Sequence, residues 1–178
     1  MIDEYYTTLC EQRSDINEHL PTLYRYASEC KHVTEMGVRD VVSTWAFLKS
    51  APDKLICYDI MRSKNIDTAL AAANKVGIEM EFHQKNVLSI EIEDTDLLFI
   101  DTLHQYVQLV QELNLHANKV RKYIIFHDTT KFAYTDEVTG APGGLWPAIE
   151  EFLTHNSSWQ LIERYTNNNG LTIIGRND

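Results

Sequence analysis

The sequence predicts an α/β domain in which a mostly parallel sheet lies between layers of helices. From residue 32 onwards, short apolar runs alternate with segments of helical periodicity, and this alternation is typical of parallel strands joined by crossover helices. The last two apolar runs are joined by Asn167-Asn168-Asn169-Gly170. This is a strong turn signal, so we expect an antiparallel hairpin strand at or near one edge of the sheet.

Length and composition agree with one domain. The chain has 178 residues, of which 44% are hydrophobic and 24% charged, values that are ordinary for a globular protein with one core. We therefore predict a single domain over residues 1–178. It comprises an N-terminal helical segment over residues 1–31 and an α/β core over residues 32–178.

The N-terminal segment carries a helix start. Asp15 can cap a helix, with Glu18 three residues on to bond back, and Pro21 marks either a kink or a second start. Apolar residues then recur at helical spacing, which predicts that the segment lies against the sheet. These residues are Leu20, Leu23, Tyr24 and Ala27.

The remaining elements follow from the apolar runs and from their spacing. Seven strands are predicted, over residues 32–36, 55–59, 79–83, 96–101, 123–128, 159–165 and 171–175. Helices are predicted over residues 43–49, 66–76, 104–117 and 145–153. Gly77 is a good C-cap for the second of these. Residues 129–144 lack periodicity and contain Thr, Gly and Pro, so we expect a long loop there.

Charge and cysteine usage restrict the partners and the compartment. The formal net charge is −10, which argues against nucleic acid as a partner. Cys10, Cys30 and Cys57 are widely spaced and form no CxxC, which suggests a reducing compartment. No apolar run approaches the ~18 residues that a membrane helix needs. The acidic N-terminus does not resemble a signal peptide. We expect a cytoplasmic protein with a small-molecule partner.

Acidic residues end three of the predicted strands. Asp59, Asp101 and Asp128 close the second, fourth and fifth strands. In open α/β sheets, ligands bind outside the carboxyl ends of the strands. The three carboxylates therefore mark that edge of the sheet as the place for chemistry.

Gly37 and Asp59 are spaced as in a nucleotide site. Gly37 follows the first strand and lets a ligand approach the backbone, although a plain turn explains it equally well. Asp59 follows about 20 residues later, and such a carboxylate can hold both hydroxyls of a ribose. Its alternative role is to cap the next helix.

The segment around Asp101 offers acid–base and metal chemistry. His104 lies one turn after Asp101 and can act as a general base near pH 7, or can be an ordinary polar residue in a first helical turn. Asp101, His127 and Asp128 could converge on Mg²⁺ or another divalent cation such as Mn²⁺. For Asp128, a capping or loop hydrogen bond is the alternative.

Taken together, these segments resemble class I S-adenosylmethionine-dependent methyltransferases. The resemblance is closest to the branch with macrocin O-methyltransferase and cephalosporin hydroxylase-like proteins, and it covers about residues 14–176. It is carried by Glu35-Met36-Gly37 with Ser43-Thr44, the strand ending in Asp59, the ID-x-x-H-x-Y run from Ile100 to Tyr106, and Phe126-His127-Asp128. The helix after Gly144 and the turn before Leu171 are also similar.

The resemblance implies a Rossmann-like methyltransferase fold and S-adenosylmethionine as the cofactor. The implied cofactor-binding residues are Glu35, Gly37, Val38, Ser43, Asp59, Asn86 and Val87. Among these, Glu35 and Gly37 would line the methionine part, Asp59 would hold the ribose, and Asn86 and Val87 would lie near the adenine. Asp101 and Asp128 match the metal carboxylates, and His104 matches the general base.

The activity implied is O-methylation of a sugar, glycoside or phenolic hydroxyl. The base deprotonates the hydroxyl, the metal stabilises the oxyanion, and the oxygen attacks the methyl group in line.

Two alternative functions stay open. Asp40 and Val41 replace glycines common in relatives, which suits a non-catalytic ligand-binding protein. His127 beside two aspartates suits a metal-dependent hydroxylase-like enzyme. Homo-oligomer formation also stays open.

Overall fold

A seven-stranded sheet organises the chain, with strand order β3-β2-β1-β4-β5-β7-β6. The computed structural model describes residues 1–177, so the last residue of the predicted domain lies outside the described part. The strands are β1 His32–Met36, β2 Lys54–Asp59, β3 Glu79–Gln84, β4 Thr95–Ile100, β5 Val120–His127, β6 Trp159–Tyr165 and β7 Leu171–Arg176. Strands β1 to β5 pair in parallel, whereas β7 is antiparallel to both β5 and β6.

Within residues 1–177, six α-helices cover the two faces of this sheet. They are α1 Ile2–Glu11, α2 Leu20–Ala27, α3 Val42–Lys49, α4 Ile66–Val76, α5 Tyr106–His116 and α6 Leu145–His155. Side chains of α1 to α4 belong to one hydrophobic cluster, and those of α5 and α6 to the other. The predicted mixed sheet with an antiparallel C-terminal strand is therefore confirmed.

The central strands supply both clusters because neighbouring side chains point to opposite faces. In β4, Leu97 and Phe99 pack with the α1–α4 side, whereas Leu98 and Ile100 pack with the α5–α6 side. A strand buried on both faces is apolar at successive positions. This explains why the apolar runs predicted the sheet well.

Two local predictions were wrong. The helix predicted from His104 begins at Tyr106, because Gln105 has an extended backbone with φ −130° and ψ 144°. His104 therefore lies in the loop before α5. At the N-terminus, Asp15 caps no α-helix; Ser14 Oγ accepts from Asn17 N–H at the start of a 3₁₀ turn. Helix α2 then starts with Pro21 in its first turn, where a proline is well tolerated.

The long loop after β5 is held to the body of the protein. A single β-bridge joins Thr135 to Pro142 within it, and Tyr106 N–H at the start of α5 donates to Gly143 O over 2.8 Å. Among residues 1–177, no helix is long and apolar enough to span a membrane.

Candidate functional site

A cleft of about 420 Å³ opens at the carboxyl ends of β1, β2 and β4. It lies where the sequence predicted ligand binding. Four of the seven predicted cofactor residues line it, namely Gly37, Asp59, Asn86 and Val87. Other parts of its wall come from Arg39, Tyr58, Ile60, Lys85, Asp101, Thr102, Leu103, Gln108 and Glu137.

Gly37 forms the turn at the end of β1. Its φ is +87°, and its N–H donates to Tyr58 O over 2.9 Å. The turn then passes through two more left-handed residues, Arg39 with φ 41° and Val41 with φ 68°. The sequence comparison placed the departures from glycine at Asp40 and Val41. Of these two residues, Val41 has a positive φ and Asp40 does not.

Asp59 fastens this turn to the end of β2. Its Oδ2 accepts from the backbone N–H groups of Val38 and Arg39 over 2.8 and 2.9 Å. Its Oδ1 accepts from Met61 N–H over 2.9 Å. The alternative role of Asp59 as a helix cap is wrong, since the N-cap residue of α4 is Asn65. Asp59 thus combines a place in the cleft wall with support for the turn.

Glu35 and Ser43 are buried and contact each other. Ser43 Oγ donates to Glu35 Oε1 over 2.5 Å, and Thr44 Oγ1 donates to Glu35 Oε2 over 2.7 Å. The Cys57 thiol donates to the same Oε2 over 3.1 Å. Burial raises the pKa of Glu35 to about 7, against the lowering effect of these three donors. This carboxyl joins β1, β2 and α3, and Val38 in the turn after β1 is also buried.

The far end of the cleft has an apolar character. Val87 is buried, and Asn86 Oδ1 accepts from Leu88 N–H over 2.9 Å. Tyr58 and Ile60 also belong to the wall. A backbone fixed by the Asn86 side chain, beside apolar groups, is suited to a flat heterocyclic ring.

An acid–imidazole cluster lies at the other end, where Asp101, His104 and Asp128 meet. His104 Nε2 is 3.2 Å from Asp101 Oδ1 and 3.1 Å from Asp128 Oδ2. One ligand atom from each of the three residues lies within 4.8 Å of the others. Burial acts to lower the pKa of His104, but Asp101, Asp128 and Glu137 together raise it above its ordinary value.

His127 lies beside this cluster as a donor. Its Nδ1 is 3.3 Å from Asp101 Oδ1 and 3.5 Å from Asp128 Oδ2, and its Nε2 faces the carbonyl oxygens of Asp15 and Asn168. Both ring nitrogens thus face acceptors, which favours the imidazolium form. Although burial opposes the charge, Asp101 and Asp128 raise the pKa of His127 to about 10. The predicted metal set contained His127, whereas the group gathered within 4.8 Å contains His104 instead.

The residues present fit a divalent cation. Asp128 is 5% exposed, yet its Oδ1 has no hydrogen-bond partner among the described residues. A buried carboxylate oxygen without a partner is costly, and a bound cation removes that cost. Burial raises the pKa of Asp101, but His104 and His127 lower it well below its ordinary value. Asp101 is therefore ionised and able to ligate.

Two residues of the long loop complete the cluster. The Phe132 ring stacks on the His104 imidazole, with centroids 4.9 Å apart and planes 9° apart. Glu137 Oε2 is 2.8 Å from His104 Nδ1. The sequence did not point to Glu137, because an acid in an aperiodic loop carries no signal.

No protein-family model and no curated protein matches the sequence. The fold, however, is shared with solved methyltransferase structures. N-methyltransferase NodS from Bradyrhizobium japonicum WM9, in complex with S-adenosyl-L-homocysteine, is 15% identical with a TM-score of 0.67; the match covers 94% of this chain and 90% of that one. O-methyltransferase TomG from Streptomyces achromogenes, in complex with SAM, is 15% identical with a TM-score of 0.66, over 94% and 82%.

A third neighbour is SAH-bound methyltransferase PaMTH1 from Podospora anserina. It is 15% identical with a TM-score of 0.61, over 99% of this chain and 88% of that one. At these identities the likeness establishes the Rossmann-like methyltransferase fold. The macrocin O-methyltransferase and cephalosporin hydroxylase-like branch stays a prediction of the sequence.

Proposed function

We propose that this protein is an S-adenosylmethionine-dependent methyltransferase that methylates a hydroxyl group of a small molecule, such as a sugar, a glycoside or a phenol. One observation carries the proposal. Asp101 belongs both to the wall of the cleft and to the cluster with His104 and Asp128. A cofactor in the cleft would therefore have its reactive end beside an acid–base centre.

The cleft supplies groups suited to each part of the cofactor. The backbone at Gly37 is open to close approach, and the Asp59 carboxylate in the wall can take a further hydrogen bond from a ribose hydroxyl. Asn86 and Val87 provide the apolar end for adenine. Glu35 and Ser43 act indirectly in this proposal, since their hydrogen bond joins β1 to α3 on the two sides of the turn.

His104 is the proposed general base. Its Nε2 accepts the proton of the acceptor hydroxyl, the oxygen attacks the methyl carbon, and the S–CH₃ bond breaks as the O–CH₃ bond forms, leaving S-adenosylhomocysteine and the methyl ether. The imidazolium formed lies between Asp101 and Asp128. Two carboxylates stabilise that charge, which is the arrangement a base of this kind needs.

Asp101 and Asp128 are the residues that would hold a divalent cation, through oxygens that include the unpartnered Oδ1 of Asp128. When bound, Mg²⁺ or Mn²⁺ would act as a Lewis acid that lowers the pKa of the acceptor hydroxyl. Because a single Nε2 lone pair serves either a proton or a metal, we assign it to proton transfer. His127 supports both carboxylates by donating from Nδ1.

Calorimetry with S-adenosylmethionine and S-adenosylhomocysteine tests the cofactor, and transfer of a labelled methyl group to a panel of sugars and catechols tests the reaction. His104→Ala is expected to lose transfer while it binds S-adenosylhomocysteine with an affinity within about threefold of the wild type. His155→Ala, at an exposed position on α6, is the matched control. Failure of both ligands to bind would exclude the proposed cofactor, and turnover by His104→Ala would exclude the base.

A second function, a binding protein without catalysis, is favoured by one contact. Arg39 Nη2 pairs with Asp15 over 2.7 Å, so the turn is fastened to the N-terminal segment as well as to Asp59. A turn fixed from both sides suits a pocket that retains its ligand. Tight binding of S-adenosylhomocysteine without methyl transfer, with or without Mg²⁺, would support this function. Oxidative turnover with Fe²⁺ alone would instead support the hydroxylase-like alternative.

A further inference from the structure

We infer that Glu137 is a positioning residue for His104. It accepts the Nδ1–H of the imidazole and thereby directs Nε2 between Asp101 and Asp128. The inference deepens the proposed function, on which it rests for the role of Nε2. Hydrogen bonds to Glu137 and stacking on Phe132 set the orientation of the ring.

Three hydrogen bonds join Glu137 and His104. Glu137 Oε2 lies 2.8 Å from His104 Nδ1 and accepts from His104 N–H over 3.2 Å. Glu137 N–H in turn donates to His104 O over 3.1 Å. The side chain and the backbone of His104 are thus held by the same residue. This reciprocal arrangement explains why the segment before α5 is extended rather than helical.

The loop builds this contact from its own turn. Asp136 Oδ1 accepts from Val138 N–H and Thr139 N–H over 2.9 and 2.8 Å, and Gly140 takes a φ of +68°. Gln105 Nε2 also donates to Asp136 Oδ1 over 3.2 Å. These bonds fix the turn that carries Glu137 and tie it to the residue after His104. Glu137 is therefore presented by a defined turn.

The contact decides which ring nitrogen carries the hydrogen. An ionised carboxylate only accepts hydrogen bonds, so the nitrogen that faces Glu137 must be the donor. By the same rule Nε2 donates to Asp101 and Asp128 when it carries a proton, and it is the nitrogen left to exchange that proton with an acceptor molecule. Phe132, stacked on one face of the ring, opposes rotation of the imidazole out of this orientation. Nε2 itself lies within 3.2 Å of both Asp101 Oδ1 and Asp128 Oδ2.

The pattern matches a general device of histidine sites. A histidine that uses one ring nitrogen for chemistry usually donates the other ring N–H to a carboxylate or carbonyl, which fixes tautomer and orientation. At metal-bound histidines, loss of such a partner typically costs about 10- to 100-fold in metal affinity or activity, and we expect a loss of this order for His104. Glu137 is 38% exposed at its side chain and belongs to the cleft wall, so it also connects the loop to the place where the acceptor would bind.

The test follows the Nδ1 ring proton of His104 by NMR of protein labelled with ¹⁵N-histidine, with assignment through His104→Ala. Glu137→Ala removes the acceptor, whereas Glu137→Gln keeps a carbonyl oxygen at nearly the same place. Glu150→Gln, at an exposed position on α6, is the control. We expect the ring proton to be observed in the wild type, in Glu137→Gln and in Glu150→Gln, and to be lost by exchange in Glu137→Ala.

Methyl transfer gives the second readout. Glu137→Ala should lower kcat by about 10- to 100-fold, with partial recovery in Glu137→Gln. If Glu137→Ala retains the His104 Nδ1 proton, the positioning role is wrong whatever the reaction is. If that proton is lost in Glu137→Ala but the wild type transfers no methyl group, the positioning role stands and the proposed function fails.

Discussion

Gly37 and Asp101 touch through their backbones. A methyl group built on the Gly37 Cα would lie 1.9 Å from the carbonyl oxygen of Asp101 and 2.6 Å from its carbonyl carbon. Asp101 N–H also donates to Met36 O over 2.8 Å. The turn that faces the cleft and the residue that begins the acid–imidazole cluster therefore form one packed unit. A displacement of either one is transmitted to the other.

Gly37→Ala is expected to destabilise the protein by at least about 2 kcal/mol, because the methyl group overlaps backbone atoms and the residue has a left-handed φ. Chemical denaturation measures the loss. Calorimetry should show weaker binding of S-adenosylhomocysteine and of Mn²⁺ as Asp101 shifts. Gly140→Ala is the control, since it has a positive φ but nothing within 4 Å of the added methyl group. Similar behaviour of the two variants would contradict the packing argument.

The sheet could be predicted from the sequence because its central strands are buried on both faces. Val33 and Leu55 on one side, with Ile56 and Leu98 on the other, make continuous apolar runs whose lengths set the strands. Helix α4 was predicted with its observed bounds because Gly77 ends it with a φ of 80°. The parallel pairing then brought Asp101 and Asp128 to one edge, as predicted from their strand-end positions.

The side-chain partners inside the site could not be predicted from the sequence. Successive residues of a strand point to opposite faces, so His127 and Asp128 would ordinarily diverge. Asp128 has a φ of 59°, and both His127 Nδ1 and Asp128 Oδ2 end beside Asp101 or His104. That backbone change has no sequence signature for an aspartate. Glu137 reaches His104 from a loop without periodicity, and only the folded turn reveals it.

Asp59→Ala is expected to weaken binding of S-adenosylhomocysteine at least about 10-fold and to lower the thermal midpoint. The substitution removes a ribose acceptor and leaves the N–H groups of Val38, Arg39 and Met61 without their carboxylate. Calorimetry and thermal melting measure the two effects. Asp67→Ala in the first turn of α4, which breaks an exposed pair with Arg62, should change neither. An unchanged affinity in Asp59→Ala would exclude Asp59 from the cofactor site.

Substitutions at Ala51 and Gly77 form a matched pair with opposite expected effects on the free energy of unfolding. Each follows a helix in a left-handed conformation, with φ of 55° and 80°. Ala51 is exposed, so Ala51→Gly should raise the free energy of unfolding by about 0.5–1 kcal/mol through relief of backbone strain. Gly77→Ala should lower it by about 1 kcal/mol, although nothing lies within 4 Å of the new methyl group. Denaturant titration that gives both changes the same sign would contradict the backbone argument.

Glu112 predicts a pH dependence of stability. It is fully buried on α5; its Oε1 accepts from Thr102 Oγ1 and Gln108 Nε2 over 2.5 and 2.8 Å, but its Oε2 has no partner among residues 1–177. Burial raises its pKa to about 7, against the lowering effect of those two donors. The native state therefore keeps a proton that the unfolded chain releases at its ordinary pKa of 4.5. Stability from this group is present below pH 4.5 and is lost as pH rises through 7.

Glu112→Gln removes this titration while it keeps an acceptor for Thr102 and Gln108. At pH 8 the free energy of unfolding of Glu112→Gln should exceed that of the wild type by about 2–3 kcal/mol, and near pH 4 the two should be similar. Urea denaturation across this range measures the difference, with Glu150→Gln as the exposed control that should follow the wild type. A difference that stays constant with pH would mean that Glu112 is ionised in the native protein. An ionised Glu112 would leave its buried Oε2 without a donor among residues 1–177. Because a buried charge without a partner is costly, the fold favours the protonated form.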